Sequence, residues 1–293
     1  MKVESYDYLC LEISLIEEAA YHISQLSTIN SQFIYMALSN IEKHYNKHPE
    51  DLRLQRRHGI VEFETTMHHL RRFIHPDSFL LDIGAGTGRY TSALMAEGYR
   101  VKAVELVRRN IEVFLKREPG ADVVQGDARN MPFIPTATAD VTLLLGPLYH
   151  LIGDEEKLKA LNEAKRVTKP GGLIFVAYLM NEYSILSYCF DEDRIGGLLE
   201  RGAVDKNFHI QASADELYDY VRLDDINRLD ESAGLERVTI FSPDGASDYM
   251  RTRLNRMSDE TFAHFIEYQK TISERADLIG AGSHVVDVVR GPL

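Results

Sequence analysis

Between residues 79 and 178 the chain repeats one pattern: a short apolar run, then a stretch of helical period. The runs are FLLD (79–82), VKAVE (101–105), ADVVQ (121–125), DVTLLL (140–145) and GLIFVAY (172–178). Runs this short and this continuously apolar suit strands covered on both faces, as in a parallel sheet. The segments between them step like helices. One passes through Leu94 and Met95 and closes at Gly98. In LVRRNIEVFLK, Val107, Ile111 and Phe114 share a face, and DEEKLKALNEAKRVT (154–168) aligns Leu158, Leu161, Ala164 and Val167. That last helix is expected to stop at Pro170-Gly171-Gly172. Strands alternating with helices of this length require crossover connections and therefore an α/β fold with helices on both faces of the sheet.

The flanks read differently. Upstream, Ile60, Phe63, Met67, Leu70 and Ile74 step by 3 and 4, an amphipathic stripe. A second helix is expected over 31–46, with Ile34, Leu38, Ile41 and Tyr45 on one side, while the first 28 residues are mixed. The expected organisation is a helical N-terminal cover over 1–58 and a domain over 59–293. Residues 181–222 are irregular, rich in aromatics, and read as an insert. A helix over 223–234 ends at Gly234, LERVTIFSP (235–243) reads as a strand, Ser258 caps a helix to about 275, and SHVVDVVRG reads as a final strand.

LLDIGAGTGRYTSALMA (80–96) is the turn from the first strand into the first helix. Such a turn presents free backbone amides to a ligand at the carboxyl end of the sheet. The dinucleotide fingerprint needs glycines spaced G-x-G-x-x-G, and Arg89 stands at its third position. A phosphate loop needs G-K-[ST], which does not follow. Gly84, Gly86 and Gly88 instead give D-x-G-x-G-x-G, opened by Asp82. Three further features follow in order: Glu105-Leu106 ending the second run, Gly126-Asp127-Ala128 after the third, and KRVTKPGGLIFVAY (165–178) entering the fifth. A carboxylate at the end of the second strand can accept hydrogen bonds from two ribose hydroxyls. Read singly, Glu105 is also a solvated strand-end charge and Asp127 a turn cap.

Together these segments resemble the class I S-adenosylmethionine-dependent methyltransferases. The resemblance implies a Rossmann-like sheet of seven strands, mostly parallel, with the last antiparallel. It implies S-adenosyl-L-methionine as cofactor. Asp82 falls near the amino-acid end of the cofactor, and Gly84, Ala85, Gly86 and Gly88 form the loop. Glu105 meets the ribose, Leu106 the adenine ring, Asp127 and Ala128 the adenine edge, and Leu145 lies beside the sulfonium. EDLRLQRRHGIVEFETTM (50–67), LLLGPLYHL (143–151), FVAYLMNEY (175–183) and ERADLIGAGSH (274–284) resemble a branch of small-molecule methyltransferases related to the quinone-biosynthesis C-methyltransferases.

Direct displacement at a methyl sulfonium mainly requires alignment of acceptor, carbon and sulfur, and no metal is obligatory. The acceptor side is expected just past the fourth strand, in Leu145-Gly146-Pro147-Leu148-Tyr149-His150. Nucleic-acid adenine methyltransferases carry Asp or Asn where Gly146 stands, which argues against base methylation. Tyr149 is a candidate acceptor contact and His150 a candidate base, although one can pack under the loop and the other cap the next helix. Arg57 and His58, at the start of the stripe helix, are candidates to meet an acidic acceptor or the cofactor carboxylate, although the run also reads as a solvated basic helix start. His284 reads as a buried structural histidine. His44, His48, His68, His69 and His75 lack a matching carboxylate or cysteine set, so no metal is expected.

A net charge of −12 and a pI near 5.4 lower the expectation of nucleic-acid binding. No apolar run approaches a membrane span, the N-terminus lacks a signal pattern, and two cysteines make no disulfide framework, so a cytoplasmic setting is expected. The function expected is methyl transfer to an enclosed small-molecule acceptor. The alternatives are a protein or RNA methyltransferase, a nicotinamide-dependent oxidoreductase, and a cofactor-binding module without catalysis. The sequence names neither the acceptor nor an oligomeric state.

Overall fold

The computed structural model describes residues 41, 43–45 and 56–292. The expectations for 1–28 and for most of the 31–46 helix therefore lie outside the described residues. From residue 56 the chain runs into helix α1 (Arg57–Arg71), the predicted stripe. There follow β1 (Phe79–Ile83), α2 (Arg89–Ala96), β2 (Arg100–Glu105), α3 (Arg108–Arg117), β3 (Asp122–Gln125) and β4 (Ala139–Leu144). A short 3-10 turn at Pro147–His150 leads to α4 (Asp154–Val167) and β5 (Thr168–Leu179).

The seven strands form one sheet in the order β3-β2-β1-β4-β5-β7-β6, in which β6 is Glu236–Phe241 and β7 is His284–Arg290. β1 pairs in parallel with β2 and β4, so Leu80 lies between Val101 and Val141. β7 runs antiparallel between β5 and β6, placing Val285 opposite Tyr178. The chain leaves β1 in one direction through β2 and β3, then returns through β4 on its other side. The loops after β1 and β4 thus part at the carboxyl edge, the position where open α/β sheets bind ligands.

Side chains alternate across each strand, and each face has its own core. Leu81, Ile83, Leu144, Val176 and Tyr178 pack under α4 and α7 (Leu223–Ala233). Leu80, Val141, Leu143, Phe175 and Val288 pack under α1 and α2 through Phe63, Met67, Leu70 and Leu94. Helix α1 is therefore part of the layered core.

The Pro170-Gly171-Gly172 expectation is corrected. Helix α4 ends at Val167, and Thr168 is already extended, its hydroxyl returning to the Ala164 carbonyl at 2.7 Å. The proline and glycines lie inside β5, at a register shift against β4 between Ala139 and Val141. A Cβ on Gly172 would stand 2.7 Å from the Asp140 carbonyl, so the strand passes there only as glycine.

The insert is more ordered than its composition suggests. It contains α5 (Asn181–Ser184), a π turn (Ile185–Phe190) and α6 (Ile195–Glu200). Ile185, Cys189 and Val204 form a small core of their own. Buried Asn181 pins the return: its Oδ1 accepts from the Ile210 amide and its Nδ2 donates to the Phe208 carbonyl, both at 2.9 Å. After β6 come α8 (Arg251–Leu254) and α9 (Asp259–Ile272), the latter capped by Ser258 through the Thr261 amide as expected. Among the described residues no helix is long and apolar enough to cross a membrane.

Candidate active site

The glycine turn is built from left-handed backbone. Gly84, Gly86 and Gly88 have φ of 75°, 57° and 78°, a region that other residues enter at a cost. Two of them also mark close contacts. A Cβ on Gly84 would fall 2.6 Å from Pro147 Cδ, and one on Gly88 would fall 2.3 Å from the ring of Phe114 in α3. Gly146 closes the same junction, since a Cβ there would sit 3.3 Å from the Gly84 carbonyl. The loops after β1 and β4 therefore pass so close that a side chain at Gly84 would collide with Pro147.

Two carboxylates brace this turn. Asp82 is buried and accepts from Thr91 Oγ1 at 2.6 Å, tying the end of β1 to α2. Burial pushes its pKa up to about 6 against the opposing effect of that hydrogen bond. Glu105, also buried, accepts from the Gly86 amide at 2.8 Å, the Val107 amide at 2.9 Å and Asn110 Nδ2 at 3.1 Å. An acceptor-only group buried at the carboxyl end of β2, in contact with the glycine turn, is chemically suited to the hydroxyls of a ribose. Leu106 beside it is half-buried, and Leu145 packs against the core under α1.

Asp127 sits differently. Its carboxylate is forked by Arg129, with Oδ2 at 2.6 Å from Nη2, and Arg129 in turn pairs with Glu156. The Arg129 hydrogen bonds hold the Asp127 carboxyl below the usual range despite its partial burial. Asp127 Oδ1 also accepts the Arg129 amide at 2.9 Å, which is the loop-capping arrangement. Ala128 is buried in the core under α4.

Beside the β1–β4 junction lies a cavity of about 750 Å³. Its wall includes Tyr149, Leu179, Tyr183, Tyr218, Tyr220 and His284. His58 faces it from α1 and Tyr45 from the upstream segment. The cavity is thus bounded by the loop after β4, the insert, the start of β7 and α1, which is where an acceptor is expected.

The candidate acceptor residues separate. Tyr149 lines the cavity, with its hydroxyl 3.4 Å from the Leu145 carbonyl. His150 does not stand among the described lining residues. Its Nδ1 donates to the Leu217 carbonyl at 3.0 Å and its Nε2 accepts the Tyr45 hydroxyl at 2.8 Å. Burial lowers its pKa to about 4, and both nitrogens serve to join the insert and the upstream segment to the β4 loop. Arg57 also points elsewhere. It donates to the Leu254 and Met257 carbonyls at 3.1 and 2.7 Å, pairs with Asp259 and covers the Phe262 ring. Arg56 and His58 are the residues from this run that reach the cavity.

Sequence reasoning missed Asp244, Asp248 and Arg251, which gather behind His284. SPDGASDY reads as an ordinary turn, and only its return alongside the start of β7 gives these acids a shared neighbour.

Comparison with known proteins agrees with this geometry. Residues 81–176 match the methyltransferase domain family. The chain is 36% identical to a demethylmenaquinone methyltransferase of Renibacterium salmoninarum over 35% of this chain and 41% of that protein. It is 36% identical to the demethylmenaquinone methyltransferase of Paenarthrobacter aurescens over 33% of this chain and 37% of that protein. The chain thus spans about 40% of the length of these relatives. A Thermotoga maritima structure described as a possible histamine N-methyltransferase shares the fold, with TM-score 0.52, 19% identity, and coverage of 85% of this chain and 97% of that one. Matched in sequence across the β1–β5 core and in fold across all seven strands, the chain carries a methyltransferase domain over residues 81–176 on a sheet shared with S-adenosylmethionine-dependent methyltransferases.

Proposed function

We propose that the chain moves a methyl group from S-adenosylmethionine to a small acceptor held in the cavity beside the β1–β4 junction. The observation that carries this is the contact of Gly84 with Gly146 and Pro147, which brings the cofactor loop against the loop bearing Tyr149. Bound S-adenosylmethionine supplies an electrophilic methyl group. The chain's own residues bind and align: Glu105 for the ribose, Gly84 to Gly88 for close approach, Asp82 to hold the loop against α2, and Leu106, Asp127, Ala128 and Leu145 as further contacts. Tyr149 and His58 act at the acceptor.

A volume of about 750 Å³ is that of a small-molecule site, and its tyrosine-rich wall suits a flat or ring-containing acceptor. The relatives named for demethylmenaquinone support the same class. Four arginines also line the cavity, Arg56, Arg194, Arg201 and Arg251, and they give a second reading in which the acceptor is RNA. Two of the four are already paired, Arg194 with Glu192 and Arg251 with Asp248, which favours the small molecule.

Calorimetric titration with S-adenosylhomocysteine and with NAD tests the cofactor. Binding of the first and not the second is expected; the reverse overturns the proposal in favour of an oxidoreductase. Incubation with methyl-labelled S-adenosylmethionine and either a metabolite extract or total tRNA then tests the acceptor. Label in the low-molecular-mass fraction is expected. Label in tRNA alone overturns the small-molecule reading, and label in neither supports a module without catalysis.

A further inference from the structure

Asp244 follows β6 and His284 opens β7, and the two antiparallel strands bring them together at the carboxyl edge of the sheet. Asp244 is buried, and its Oδ2 accepts from His284 Nδ1 at 2.7 Å and from the His284 amide at 3.1 Å. The surroundings are shaped around this carboxylate. A Cβ on Gly282 would stand 2.7 Å from Asp244 Oδ1 and 2.7 Å from Ser242 Oγ. His284 reaches the cavity wall, and its ring centroid lies 6.2 Å from that of Tyr149. The residues from cofactor loop to acid thus run Gly84, Gly146, Tyr149, His284, Asp244.

From this geometry, and resting on the methyltransferase reading above, we propose that His284 is the general base for the acceptor, with Asp244 as its positioning residue. A proton donated from Nδ1 to Asp244 puts the lone pair of the ring on Nε2. A neutral amine can lose its proton after attack and needs no such base. A base oriented by a buried carboxylate therefore points to an acceptor hydroxyl: an alcohol, a phenol or an enol. In the step, the acceptor's electron pair forms the new bond to the methyl carbon. The carbon–sulfur bond breaks with its pair remaining on sulfur, and the hydroxyl proton passes to Nε2 of His284 and then to solvent.

Other charges face the pair from each packed element. Asp248 and Arg251 lie on the segment after β6, where Arg251 Nε pairs with Asp248 at 3.0 Å. His58 and Glu62 act from α1. Burial pushes Asp244 up while His284 pulls it down, so the carboxylate form depends on its imidazole partner. Asp244, Asp248 and His284 also stand close enough to surround a cation. The geometry argues for the dyad, because Asp244 Oδ2 lies 2.7 Å from Nδ1, where an ionised carboxylate can only accept, and Asp248 is already matched by Arg251.

The test has a binding arm, a spectroscopic arm and a kinetic arm. Nitrogen-15 NMR of the histidine-labelled full chain, assigned by comparison with His284→Gln, is expected to show the Nδ1-protonated tautomer, lost in Asp244→Asn. The Nε2-protonated tautomer overturns the proposal whatever the acceptor is. So does stoichiometric broadening of that signal by Mn²⁺ together with loss of transfer in EDTA, which would assign the cluster to a cation. With the extract fraction that accepts label from the wild type, His284→Gln is expected to lose about 10²- to 10³-fold in kcat. Its S-adenosylhomocysteine affinity stays unchanged, and added imidazole restores transfer to His284→Ala. Asp244→Asn is expected to move the acidic limb of the pH profile to lower pH, since removing the anion lowers the imidazole pKa. Wild-type rates in His284→Gln overturn the dyad and leave the methyltransferase reading standing. Failure of the wild type to bind S-adenosylhomocysteine or to transfer label overturns that reading instead.

Discussion

Gly88 allows a sharp experiment, because two separate costs of replacing it can be measured apart. Gly88→Ala places a side chain at φ 78°, which costs about 1–2 kcal/mol in the left-handed region. It also drives the new Cβ to within 2.3 Å of the Phe114 ring, which is fully buried and has nowhere to retreat. Overpacking of that kind costs about 1–3 kcal/mol. The sum is about 2–5 kcal/mol, or a fall in Tm of about 3–8 °C for a chain of this size. Phe114→Leu removes the offending ring edge and leaves the backbone cost in place. In that background Gly88→Ala should cost only about 1–2 kcal/mol, so the double-mutant cycle should show a coupling of about 1–3 kcal/mol. Urea denaturation of the four proteins gives the cycle, and S-adenosylhomocysteine calorimetry reports whether the loop still binds. A single-mutant cost below about 0.5 kcal/mol, or costs that simply add, would refute the account of Gly88 as a packing position.

Glu105→Ala removes the acceptor of three N–H groups and should weaken S-adenosylhomocysteine at least about tenfold by calorimetry, about 1.4 kcal/mol; wild-type affinity would remove Glu105 from the site. Asp219→Ala strands Lys157, which is 1% exposed and also donates to the Leu151 carbonyl, so a loss of about 3–5 kcal/mol is expected in urea melts, recovered in part by Lys157→Met; a loss under about 1 kcal/mol refutes the buried pairing. His69 has its pKa lowered from 6.5 to about 4, chiefly by burial against Phe241, and its Nδ1 accepts from Arg72 while Nε2 donates to Ser273. Its folded pKa lies below its unfolded one, so its stabilisation, about 3 kcal/mol, is present above pH 6.5 and lost as pH falls through about 4. His69→Asn should flatten that part of the pH–stability curve, and an unchanged slope would show that His69 does not cause it.

What the sequence could convey depended on how local the cause was. Strand positions β1 to β5 and the faces of α1, α3 and α4 follow from periodicity, because burial on one side repeats along the chain itself. The glycine turn was equally legible, since positive φ is a demand on the residue that bears it. The Pro170-Gly171-Gly172 segment misled because a helix stop and a strand bulge ask for the same residues, and only the Asp140 carbonyl across β4 distinguishes them. The acceptor side was the least legible. His150 and Arg57 carry suitable chemistry, but their partners, Leu217 and Tyr45 for one and Leu254, Met257 and Asp259 for the other, are brought to them by the tertiary fold. Asp244 and His284 are 40 residues apart and meet only because β7 inserts beside β6.

The place of α1 in the core has a practical consequence for anyone shortening this protein. The family match begins at residue 81, inside β1, yet Phe63, Met67 and Leu70 supply the cover over Leu80, Val141 and Phe175. A fragment cut at the match would strip the α1 cover from one side of a hydrophobic sheet. Such a fragment should be recovered as aggregate, and expression trials that start there would report on missing upholstery rather than on the catalytic domain.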